Sequence, residues 1–186
     1  SVIFDKEIAG QRHFAEVSIK MAPLPRGTGN KFIAEISADA LPDILIAAVE
    51  KGVLESLASG SLMGYPVVDV EVKLANANYK ESLGTELAHT VSASMACKDA
   101  MAAGRPFLLE PIMTAEIFVP EAFTGDVIGD LNSRGGKIES IEHKGGVQVI
   151  NATVPLSQMF GYSTTLRSAT QGRVTFSMQF SHFDRS

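Results

Sequence analysis

The sequence predicts an α+β protein of two domains, and three observations predict it. Strand-like alternation and helix-like apolar stripes follow one another along all 186 residues. A proline-bounded apolar hinge, Arg105-Pro106-Phe107-Leu108-Leu109-Glu110-Pro111, divides the pattern into domains 1–108 and 109–186. The second part reads β-α-β-β-α-β, the split βαβ order of ferredoxin-like domains.

In the first domain, residues 14–21 put Ala15, Val17, Ile19 and Met21 on one face and Glu16, Ser18 and Lys20 on the other. The Pro/Gly composition of Ala22–Asn30 forbids regular structure. Lys31–Ser37 reads as a second strand. Leu41–Ser59 carries Leu45, Ala48, Val49, Gly52, Val53 and Leu57 on one helical stripe, with Gly60 as its stop. After Gly64-Tyr65-Pro66, the apolar set Val68, Val70, Val72 and Leu74 marks a third strand. Thr85–Ala103 is a second helix, capped by Thr85 and closed near Gly104. The order is β-β-α-β-α.

In the second domain, Met113, Ala115, Ile117 and Val119 mark a strand, and Pro120 opens a helix to about Asn132. Gly135-Gly136 ends that helix, strand Lys137–His143 follows, and Lys144-Gly145-Gly146 turns tightly into Val147–Val154. Pro155 is expected to open a last helix, with Leu156, Met159, Phe160 and Leu166 at helical spacing and Gly172 as its left-handed cap. Val174, Phe176, Met178 and Phe180 then alternate as the apolar face of a final strand.

Composition narrows the function. Apolar content of 45% and charged content of 20% describe a folded chain. No apolar run approaches the ~20 residues of a membrane helix, and Ser1–Glu7 has no secretion-signal pattern. Ser1 in place of an initiator Met is expected of a processed chain or an excised fragment. One cysteine, Cys97, allows no disulfide framework or thiolate metal site; it reads as a small buried residue in a reducing compartment. A net charge of −5, spread over both domains, excludes gripping nucleic acid by overall charge. Any RNA contact has to be local, at a loop or helix end.

Catalytic patterns are missing. His13, His89, His143 and His182 show no metal-ligand spacing, and no Gly-x-Ser-x-Gly elbow occurs. Gly135-Gly136-Lys137 lacks the rest of a phosphate loop. The chain alone is therefore expected to be no enzyme and to hold no cofactor or metal. Gly172-Arg173-Val174-Thr175-Phe176 only partly matches an RNA-stacking motif, and its alternating face reads as core. Gly125 and Gly129 lie one turn apart on a helix. Close helix-to-sheet packing is the first explanation, and approach of another molecule's backbone is the second.

Several uncommon strings, in register, resemble the end of translation elongation factor G. They are Gly64-Tyr65-Pro66-Val67-Val68-Asp69, Leu109-Glu110-Pro111-Ile112-Met113, Gly125-Asp126-Val127-Ile128-Gly129-Asp130-Leu131, Met159-Phe160-Gly161-Tyr162, Leu166-Arg167-Ser168 and Thr170-Gln171-Gly172-Arg173. The resemblance implies the fourth and fifth domains of that factor: an arm with a ribosomal-protein-S5-like fold, then the ferredoxin-like domain. It also implies a cytoplasmic or organellar monomer, with GTP and Mg bound by a separate N-terminal part. Its partners would be the ribosome and the tRNA–mRNA pair, with no role for membrane or DNA. The arm's tip would enter the small-subunit decoding site and promote translocation. The fifth domain would lean on large-subunit RNA near the stalk base, with Arg134, Arg167 and Arg173 as candidate contacts.

Two loops would form the tip: one with Gly10, Gln11, Arg12 and His13, the other with Tyr79, Lys80 and Glu81. The first has fewer glycines than is usual in the family, and Lys80 stands where a histidine is common. These departures also suit a ribosome-recycling paralogue. A free-standing ferredoxin-like RNA-binding module is the alternative outside the family.

Overall fold

A computed structural model describes residues 1–37, 39–80 and 82–185. The chain divides into two compact units, Ser1–Pro106 and Phe107–Ser186.

The first unit contains β1 (Val2–Ile8), β2 (Gln11–Pro23), β3 (Lys31–Ala34), α1 (Asp43–Ser59), β4 (Val70–Asn78) and α2 (Glu86–Ala103). Its sheet has the order β1-β2-β4-β3, with β3 parallel to β4 and the other pairs antiparallel. Strand β1 precedes everything the alternation announces. Its apolar residues Val2, Ile3 and Phe4 are clumped ahead of Asp5, Lys6 and Glu7, and as an edge strand it sends only Phe4 into the core. Ala9 and Gly10, with φ of 51° and 79°, make the two-residue turn into β2. The third predicted strand starts later than expected, because Asp69 adopts a left-handed conformation (φ 58°) and leaves Val68 exposed.

Helix α1 buries the predicted stripe against β2 and β4, where Val17, Val72 and Leu74 complete the core. The two helices meet through small residues. A Cβ at Gly52 would overlap the Thr90 carbonyl, Thr90 Oγ1 donates to Ala48 O at 3.1 Å, and the Ser56 and Ser94 hydroxyls lie 2.8 Å apart. Cys97 is buried beside them, its Sγ 3.9 Å from Val53 O. Thr85 caps α2 as its sequence position predicts, Oγ1 accepting from Ala88 N at 3.2 Å.

Asp69 organises the connecting loops. Its carboxylate accepts from Gly27 N (3.0 Å) and Gly29 N (2.8 Å), and its carbonyl accepts from Leu24 N (2.7 Å). These bonds hold the carboxyl below its ordinary pKa range, with the Gly29 bond the largest cause and the Gly27 bond next. The irregular Pro/Gly segment is thus pinned to the start of β4.

The second unit contains β5 (Leu109–Pro120), α3 (Thr124–Ser133), β6 (Lys137–Lys144), β7 (Val147–Pro155), α4 (Tyr162–Ala169) and β8 (Thr175–Arg185). The sheet order β6-β7-β5-β8, antiparallel throughout, is the split βαβ topology of the ferredoxin-like fold. Its core joins Ile117, Val127, Leu131, Ile150, Tyr162 and Leu166. Gly145 and Gly146, both at positive φ, close the β6–β7 hairpin. Gly135 N donates to Asn132 O at 3.0 Å and Gly136 N to Leu131 O at 2.8 Å, the paired bonds of a Schellman stop.

The last helix differs from its expectation. Pro155 is still extended, paired with Ile112, and leads into a 3-10 turn, Leu156–Gln158. Gly161, at φ 73°, then interrupts the chain, so that α4 begins only at Tyr162. Leu156 and Phe160 are therefore exposed, Phe160 by 82%, while Met159 and Leu166 reach the core. At the other end, the first left-handed residue is Gln171 (φ 53°), and Gly172 N reaches back to Arg167 O at 2.8 Å. Val174, just ahead of β8, and Phe176 and Met178 within it pack on the core, but Phe180 does not. A register shift places Met113 opposite Phe180 and Ile112 opposite His182, and the Phe180 and Phe183 rings come within 5.1 Å.

Candidate functional site

One end of the first unit carries the described residues of the two segments that the sequence proposes as a tip. The register carries Ile8 opposite Gln11 and Glu16 opposite Asn78, so the β1–β2 turn and the segment after β4 emerge at the same end of the sheet. They are joined directly. Phe14 N donates to Leu83 O at 2.9 Å, and Lys80 Nζ lies 4.3 Å from the centre of the Phe14 ring. Leu83 N and Gly84 N both donate to Lys80 O, and a Cβ on Gly84 would press on the Tyr79 side chain.

The proposed tip residues take different parts in this arrangement. Gly10 forms the turn, and Gln11 and Lys80 are exposed. Arg12 spends its guanidinium on Asp5, Nε donating to Oδ1 and Nη2 to Oδ2, both at 2.7 Å. That bond holds the Asp5 carboxyl below its usual range, helped by the Arg12 and Lys80 charges, and raises Arg12 in turn. His13 points the other way, onto the helix side of the sheet, where Nδ1 lies 2.8 Å from Thr85 Oγ1. Thr85 O also takes the N–H of His89 and bonds its ring at 2.9 Å; burial lowers the pKa of that imidazole. His13 thus serves the α2 cap and is not presented. Glu81 lies outside the described residues.

Sequence reasoning missed Asp5 and the role of Phe14 as a seat for Lys80. Asp5 was hidden because β1 itself was; once the hairpin register is known, Asp5 falls directly opposite Phe14.

In the second unit the three candidate arginines separate. Arg134 is a clamp: Nε donates to Asp130 Oδ2 (2.8 Å), Nη1 to Gln158 O (2.6 Å), and the guanidinium stacks 5.1 Å from the Tyr162 ring. Arg173 lies over Phe123 at 4.9 Å and bonds Gln171 Oε1 at 3.1 Å. Arg167 is exposed in the last turn of α4. Gly125 and Gly129 have no atom within 4 Å of where a Cβ would stand, so helix-to-sheet packing does not explain them.

The sheet face used for base stacking in RNA-recognition motifs carries Thr114, Glu116, Asn151, Ser177 and Gln179 at its centre. Phe176 instead packs edge-on against Tyr162, with centroids 5.4 Å apart, on the helix side. Among the described residues no cluster of three or more His, Cys, Asp or Glu could hold a metal ion. Among them, no helix is long and apolar enough to cross a membrane.

Residues 1–105 match the family model for elongation factor G, domain IV, and residues 107–186 match that for the elongation factor G C-terminus. Elongation factor G of Aquifex pyrophilus is 50% identical over 181 residues, a match covering 97% of this chain and 26% of the relative. A crystal structure of a Thermus thermophilus protein superposes with a TM-score of 0.83 at 30% identity, covering all of this chain and 28% of the other. The chain thus spans about a quarter of the length of these relatives.

Proposed function

Since the chain belongs to the elongation factor G family, as its domain IV followed by its C-terminal domain, we propose that it is the ribosome-contacting part of a translocation factor. The first unit acts as an arm. Its tip enters the small-subunit decoding site as the tRNA–mRNA pair leaves and disfavours the return movement by occupying the space. The second unit leans on large-subunit RNA near the stalk base, with Arg167 and Arg173 as its outward cations and Arg134 confined to bracing. Nucleotide chemistry belongs to a separate GTPase part with its own GTP and Mg; the work of this chain is positional. The factor acts as a cytoplasmic or organellar monomer.

The observation that supports this reading is the junction of two distant segments at the tip, Lys80 on Phe14 and Phe14 N on Leu83 O. A wedge has to resist deformation, and two tethered loops resist better than either alone. The tip also carries few cations, which suits a transient contact with a shallow salt dependence.

The test is an exchange. This chain replaces the matching region of the Aquifex pyrophilus factor, and translocation, ribosome-stimulated GTP hydrolysis and ribosome splitting are measured separately. Translocation well above that of a factor lacking the region is the expected result. Splitting without translocation would move the assignment to recycling, and loss of both would remove the proposal.

A further inference from the structure

The tip's arginine is already engaged. Arg12 lies directly across the hairpin from Glu7, yet its guanidinium takes Asp5, two residue pairs away on the same face, in a two-bond fork with both contacts at 2.7 Å. That is the geometry with which arginine holds phosphate. Asp5 in turn faces Phe14, the ring that carries Lys80. A carboxylate therefore occupies the arginine fork at the place where the tip would meet an RNA backbone.

We propose that Asp5 is a specificity-determining residue of the tip: its carboxylate fills the Arg12 fork in place of an RNA phosphate, so that Arg12 engages RNA only where a phosphate is already positioned to displace it. The inference rests on the tip reading given above. The pair is exposed, with side-chain accessibilities of 61% for Arg12 and 30% for Asp5, and exposed pairs are weak enough to exchange. Displaced, Asp5 remains anchored in β1 and repels any approaching phosphate. A mobile RNA strand has to overcome that repulsion and its own ordering cost together. A folded RNA site is ordered in advance. Asp5 thus lowers indiscriminate RNA binding while leaving binding at a preformed site open.

The test uses the full 186-residue chain and a fluorescently labelled, unstructured single-stranded RNA, with anisotropy titrations between about 50 and 200 mM salt. Asp5→Asn keeps the shape and removes the charge. It should tighten binding about three- to tenfold at the low-salt end and steepen the log–log salt slope by close to the ~0.7 expected of one new phosphate contact on a single strand. Asp5→Ser should do the same. Adding Arg12→Gln to Asp5→Asn should cancel both gains. Glu7→Gln, which removes an equal charge from the same strand, should change affinity by less than about twofold. Unchanged affinity and slope in Asp5→Asn, including no binding at all, would overturn the inference, as would a gain that survives Arg12→Gln or is matched by Glu7→Gln. The tip reading itself stands or falls separately, in the exchanged factor.

Discussion

Lys80 holds its ammonium 4.3 Å above the ring of Phe14, and through this contact the turn after β4 rests on the β1–β2 hairpin. Neither partner is buried deeply, so the contact contributes only about 0.5–1 kcal/mol to stability. Its consequence is positional: a flexible cation acquires a fixed place at one end of the first unit.

Function should follow that place. In a factor carrying this chain, Lys80→Ala and Phe14→Leu should each slow translocation severalfold while ribosome-stimulated GTP hydrolysis stays within about twofold. A double-mutant cycle on chain stability should return a coupling of about 0.5–1 kcal/mol. Equal losses in translocation and hydrolysis would mean that these residues act through folding or docking.

The helix pair of the first unit should tolerate no methyl group at its crossing. Gly52 is buried against the Thr90 carbonyl, so Gly52→Ala has to push backbone apart. We expect a loss of about 1–3 kcal/mol, seen as a lower denaturant midpoint at unchanged m value. A neutral or stabilised variant would show that the helices separate easily.

The helical glycines of the second unit should behave in the opposite way. Gly125 and Gly129 face open space, and alanine is favoured over glycine in helices by up to ~1 kcal/mol. Gly125→Ala and Gly129→Ala should therefore each raise the melting temperature. If ribosome affinity falls at the same time, another molecule's backbone approaches there; if stability falls instead, the space beside these glycines is not open.

Acid should release the Asp69 anchor. Its folded pKa is lowered, so on acidification the unfolded chain binds the proton first. Its contribution is complete above the unfolded value of about 3.9 and disappears as pH falls through the lower folded value. Asp69→Asn should melt earlier than the parent at pH 7, and the gap should close below about pH 4. Asp5, also lowered, is present in both proteins and cancels from the difference. A gap that stays constant with pH would assign the loss to something other than the charge.

What could be read from the sequence was what neighbouring residues decide among themselves. The α1 stripe, the Thr85 cap, the Gly135 stop and the Gly145-Gly146 turn are each set within a few positions, and each is present. The errors have tertiary causes. Leu156 and Phe160 have helical spacing, yet pairing of Pro155 with Ile112 keeps the chain extended and Gly161 then breaks it. Strand β1 leaves no alternation because an edge strand buries little. Of the site, the resemblance put Arg12 and Lys80 on two loops; Lys80 does lie against the β1–β2 hairpin, but Arg12 stands within β2. The partners that restrain them, Asp5 and Phe14, follow from strand register, which no local pattern records. Arg134, at a helix end, suits either capping carbonyls or meeting a phosphate; the carbonyl it takes, Gln158 O, lies in a distant turn that its sequence position does not reveal.

The seclusion of Cys97 has a practical consequence. The thiol is fully buried, and burial pushes its pKa up to about 11, so almost none is thiolate at neutral pH. Maleimide chemistry should pass it by. One engineered cysteine at an exposed point of the first unit, such as Lys51 on the outer face of α1, can then carry a dye with this chain's native sulfur left in place.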